Sequence, residues 1–159
     1  MKKQDNLFST NPEKAASKVA INGVMLASIF VMLAVVFLDL EKFNTIAVIQ
    51  MVLSIPLLFI SSLAYSKIGY WKETKLWDLL GYFTNNFGNL FMINAIGLLA
   101  SVISITFSYI YFGITIFLFL TYSIINIVYT RMYGRKLFKF LFSLAILVIG
   151  GILPLIRAW

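Results

Sequence analysis

The chain has 159 residues, of which 61% are hydrophobic and 12% charged, whereas soluble domains carry about a quarter charged residues. Too few charges remain to cover a water-facing surface, so lipid is the expected main solvent. With no cysteine and no histidine, the sequence excludes disulfide and thiolate chemistry and lacks the commonest general base and metal ligand.

Residues 1–18 form a polar segment, with Lys2, Lys3, Lys14 and Lys18 against Asp5 and Glu13. It is expected to be a cytoplasmic tail, followed by a single helical membrane domain over 19–159. The first apolar run, 19–38, is long enough to cross a hydrocarbon core of roughly 30 Å at 1.5 Å per residue. It is longer than a signal-peptide core, and no small-residue cleavage site precedes Asp39, so an uncleaved span is predicted. A polar turn (Asp39, Glu41, Lys42, Asn44) leads into a second run over 45–65. Pro56 interrupts that run, and a membrane helix tolerates such a proline.

The stretch Ser66–Phe83 differs in character. Lys67, Lys72, Glu73, Lys75 and Asp78 alternate with Tyr70, Trp71, Leu76, Trp77, Leu80 and Phe83. Leu76, Leu80 and Phe83 recur at helical spacing, and Trp and Tyr favour the headgroup zone. A short amphipathic helix at the cytoplasmic interface is predicted here.

No charged residue occurs from Asn85 to Thr130. These 46 residues would make about 69 Å of helix, over twice the bilayer core, so the chain must reverse. The tyrosines and glycine of Ser108–Gly113 are the expected turn, giving spans over 87–107 and 114–130. After Arg131, Arg135, Lys136 and Lys139, a last run over 137–156 ends at Pro154, Arg157 and Trp159. The sequence therefore predicts an all-α integral membrane bundle of five spans. With the N-terminus inside, eleven of the 13 basic residues lie on the cytoplasmic side of a multi-pass protein, and only Lys42 and Arg157 lie outside. This rule accounts for the net charge of +7 without a nucleic-acid partner.

The spans carry no ionisable residue well inside them, so proton relays, ion-coupled transport and membrane catalysis lose their usual marker. No enzyme, cofactor or metal site is expected. Asp39 and Glu41, at the outer interface, are the only carboxylates placed for a surface reaction. What remains is a pattern of small and neutral polar residues. Asn94, Gly97, Ser101, Ser104 and Ser108 fall at steps of three and four, the seam of a left-handed helix pair. Gln50, Ser54 and Ser61 share a face of the second span, and Ala20, Gly23, Ala27 and Ala34 form a stripe on the first. Thr115, Tyr122 and Asn126 lie near one face of the fourth, while Gly150, Gly151 and Pro154 mark a bendable end of the last.

Two functional readings follow. In the first, the stripes are packing seams, and the chain is a non-catalytic subunit, immunity factor or scaffold bound to a membrane protein partner. In the second, Gln50, Asn94 and Asn126 line a small channel or facilitator formed by a homo-oligomer. Lys72, Lys75, Arg131, Arg135, Lys136 and Lys139 form a cytoplasmic rim suited to anionic lipid headgroups.

Overall fold

The computed structural model describes residues 10–68, 70, 74–129 and 133–157, and every regular element among them is helical. Helix α1 (Pro12–Val36) starts where the sequence provides a start. The Asn11 side chain accepts from the Lys14 N–H at 2.9 Å, and Pro12 occupies the first turn, where its missing N–H costs no intrahelical bond. The helix therefore begins before the apolar run and takes in residues 12–18 of the expected tail.

After α1 a 3₁₀ turn (Leu40–Lys42) reverses the chain, closed by an ion pair between Lys42 and Asp39. Helix α2 (Thr45–Ile68) opens with Asn44, whose side chain accepts from the Ile46 N–H at 2.8 Å. It continues through Pro56. Among its buried residues, Ala47, Met51, Ser54, Leu58, Ser61, Tyr65 and Ile68 alternate by four and three, the period of one helix face, and Gln50 and Ala64 are buried beside them.

Helix α3 spans Lys75–Ala100 without interruption. No separate surface helix separates α2 from α3 among the described residues. Instead, Ser66–Ile68 complete α2 and Lys75–Phe83 are the first turns of α3. The mixed pattern of charges and aromatics marks the ends of two long helices. Trp71, Lys72 and Glu73 of the expected amphipathic stretch lie outside the described residues.

Because α3 starts ten residues earlier than Asn85, it is used up sooner. The reversal falls at Ser101–Ser104, not at Ser108–Gly113, which lies within helix α4 (Ile105–Tyr129). The N–H groups of Ser101, Val102 and Ile103 bond back to Leu98, Leu99 and Ala100. The Ser104 hydroxyl caps α4 by accepting from the Thr106 N–H at 3.2 Å. A serine that offers hydroxyl oxygen to free amides ends and restarts helices well. Helix α5 (Tyr133–Leu147) runs into a π turn (Val148–Ile152) and a final short helix, α6 (Leu153–Arg157).

Four helical stretches are long and apolar enough to cross a membrane: Pro12–Val36, Thr45–Ile68, Ile105–Val128 and Lys136–Arg157. Length and composition thus mark a membrane protein. The remaining long helix, α3, carries Asn85, Asn86, Asn89 and Asn94 and is not among the four. It is nonetheless wrapped, with no exposed residue from Gly81 to Ala100. Burial explains the asparagines, because an amide surrounded by helices finds partners that lipid cannot offer.

The chain divides into two compact units. One comprises Met1–Leu38 with Met51–Asn89, the other Asp39–Gln50 with Leu90–Trp159. The first packs Ala15, Tyr65 and Ile68 with Val19 and Trp77. The second packs Ala47, Leu98, Phe112, Leu147 and Leu155. In the second unit Gly97 admits the Phe112 ring, since a Cβ on Gly97 would collide with it.

Candidate functional site

Polar side chains gather at one place in each unit. In the second unit, α2 contributes Gln50, α3 contributes Asn94, and both meet the π turn that follows α5. Gln50 Nε2 donates to the Gly150 carbonyl at 2.6 Å, and Asn94 Nδ2 donates to the Ile146 carbonyl at 3.1 Å. The glycine pair makes this approach possible. A Cβ on Gly150 would strike Asn94 Nδ2. A Cβ on Gly151 would lie 2.5 Å from Phe112 Cε1 and 2.7 Å from Asn94 Oδ1. A π turn widens the helix by one residue, and here one side-chain amide bonds to a carbonyl in that turn and the other to the Ile146 carbonyl just before it. Ser108 completes the group by donating to the Gly97 carbonyl at 2.6 Å. The Gln50 and Asn94 donors are engaged, while Gln50 Oε1 and Asn94 Oδ1 are buried and accept no hydrogen bond among the described residues.

Asn126 does not join this group. It lies fourteen residues beyond Phe112, about 21 Å along α4 at 1.5 Å per residue. It donates to the Tyr122 carbonyl at 3.2 Å and accepts from Lys136 Nζ at 3.4 Å. The expected trio is thus a pair, Gln50 with Asn94, and a separate amide. Ser101 turns back on its own helix, donating to Leu98 at 2.6 Å, so the predicted seam ends at Gly97 and resumes on α4 with Ser108.

In the first unit, fully buried Asn22 donates to Ser61 Oγ at 3.2 Å. The Ser61 hydroxyl reaches the Gly81 carbonyl at 3.3 Å and Asn85 Oδ1 at 3.4 Å. Three helices therefore share one serine. Next to this group, Lys18 Nζ donates to the Tyr65 hydroxyl at 2.9 Å and lies 4.4 Å from the centre of that ring. Such a cation–π contact adds to the hydrogen bond. Asp78, only 2% exposed, accepts from the Thr10 N–H at 2.9 Å and from Thr74 Oγ1 at 3.0 Å. A carboxylate in the first turn of α3 also favours the positive end of the helix dipole.

Sequence reasoning assigned Asp78 to a surface helix and so missed it. The spacing Thr74–Asp78 just before the asparagine-rich run was the available signal. Asn22 was also missed, because the small residues Ala20, Gly23 and Ala27 drew attention to the opposite side of α1. Those three and Ala34 are all exposed. The face that α1 buries is Ala15, Asn22, Ile29, Leu33 and Val36.

No protein-family model, curated protein or solved structure matches this chain. Its own residues must carry any assignment. Of the predicted basic rim, Lys75 is exposed, and Lys136 and Lys139 are half-buried on α5. Lys72, Arg131 and the Arg135 side chain lie outside the described residues. Asp39 is held by Lys42, which occupies one of the two carboxylates considered for surface chemistry.

Proposed function

We propose that this is a five-span protein of the cytoplasmic membrane, N-terminus inside, that works as a non-catalytic subunit or scaffold by packing its helices against another membrane protein. The observation that carries the reading is the surface of α4. Only Ser108, Phe112 and Ser123 of its described side chains are buried. Among its exposed residues, Phe107, Ile110, Ile114, Phe117, Thr121, Ile124 and Val128 form one row at alternating steps of three and four over its whole length. That period keeps one face of a helix against a neighbouring helix. The exposed Ala20, Gly23, Ala27 and Ala34 of α1 add a second face on which backbones can approach closely.

The fate of the polar groups supports the same reading. The donors of Asn22, Gln50 and Asn94 are committed to neighbouring helices. Interhelical bonds of this kind contribute about 1 kcal/mol each in a membrane. The competing reading, a pore lined by Gln50, Asn94 and Asn126, loses its third residue to the far end of α4.

A photo-crosslinking residue at position 117, introduced in cells, tests the proposal. A discrete adduct with a second membrane protein is expected. Adducts with lipid alone at positions 117 and 124 would contradict it.

A further inference from the structure

The second unit contains an open pocket of about 360 Å³ between the start of α2 and the end of α6, lined by Asn44, Ile46, Ile149, Leu153, Pro154 and Arg157. The volume is within the range of small-molecule sites, roughly 300–1,000 Å³. Its chemistry is divided. Ile46, Ile149, Leu153 and Pro154 form an apolar wall. Asn44 and Arg157 supply the polar part. The Asn44 side-chain oxygen Oδ1 is used in capping α2, so its side-chain NH₂ is the end left to donate. Arg157 makes no ion pair among the described residues, and no acid lines the pocket. Lys42, the other basic residue near this end, is occupied by Asp39.

A cation and an amide donor beside an apolar wall match one occupant, an amphiphile with an anionic head. Guanidinium groups recognise phosphate through paired N–H donors. We infer that this pocket binds a single anionic phospholipid, its phosphate on Arg157 and Asn44 and its acyl chain along Ile46, Ile149 and Leu153. The inference rests on the membrane reading. It assigns a lipid site to the end of the chain opposite the cytoplasmic basic rim.

Native mass spectrometry of the full-length protein in mild detergent tests it, with phosphatidylglycerol and phosphatidylcholine of identical oleoyl chains as probes. One phosphatidylglycerol per chain is expected to be retained over phosphatidylcholine by about fivefold, the factor set by one basic residue at a lipid surface. Arg157→Gln, at an exposed position, should abolish the preference without lowering Tm. Leu153→Trp should reduce retention by filling the wall.

Equal retention of the two lipids overturns the inference, as does a preference that survives Arg157→Gln. Displacement of phosphatidylglycerol by inorganic phosphate at millimolar concentration would assign the pocket to a free anion, and also overturns it. Carbonate-resistant association of the wild-type protein with membranes tests the membrane reading separately, so failure of either is distinguishable.

Discussion

Asn94 on α3 donates to the Ile146 carbonyl on α5 at 3.1 Å, immediately before the π turn that carries Gly150 and Gly151. This bond joins α3, which carries four asparagines, to the helix that leads into the only widened turn among the described residues. Its loss is therefore a structural event. Asn94→Leu is expected to lower stability by about 1 kcal/mol, the scale of an interhelical bond in a membrane, measured by detergent denaturation. Flux across liposomes reconstituted with the variant should equal that of the wild type. A change in flux without loss of stability would restore the pore reading.

The glycines divide into two groups by what surrounds them. Gly97→Ala and Gly150→Ala place a methyl group against Phe112 and Asn94 and should each cost about 1–3 kcal/mol through overpacking. Gly113→Ala has nothing within 4 Å and should be neutral or stabilise α4 by up to about 1 kcal/mol from helix propensity. Phe112→Leu should recover part of the loss in Gly97→Ala, and a double-mutant cycle reads that coupling.

Asp78 should matter out of proportion to its place in a charged segment. Asp78→Ala removes the acceptor for Thr10 and Thr74 and is expected to cost about 1–3 kcal/mol, the penalty for leaving buried donors unmet. Asp78→Asn should lose less, since its oxygen still accepts one bond. Limited proteolysis near Thr10 should speed up in the alanine variant. Unchanged cleavage would mean that Asp78 does not hold that segment.

Much of this organisation was legible in the sequence. The apolar runs place α1, α2 and the α5–α6 stretch closely, because lipid demands long unbroken helices and charges bound them. Ser54 and Ser61 were read to one shared face of α2 from their heptad spacing, and both are buried. The α3–α4 reversal was misplaced because the start of α3 was misread. Once Lys75 and Asp78 are taken as helix positions, length alone moves the turn to Ser101–Ser104. The pairing of Gln50 with Asn94 was half legible. Both are amides on inward faces, but the third member depends on how far Asn126 lies along α4, which follows from the turn. The π turn had only Gly150-Gly151 as a signal.

Orientation makes a separate prediction. Reporter fusions at Lys42 and Gly134 should report opposite sides of the membrane, with Gly134 in the cytoplasm, as the proposed five spans and the distribution of basic residues require. Both on the same side would remove one span, and α3 would be the helix in doubt.

The most direct test of the central claim is the mass and composition of the tagged protein purified in mild detergent from its native membrane. The account predicts a stoichiometric foreign membrane subunit, lost when Phe117 and Ile124 of the α4 face are both replaced by Asn. A bare monomer, or a homo-oligomer with no foreign subunit, would contradict it.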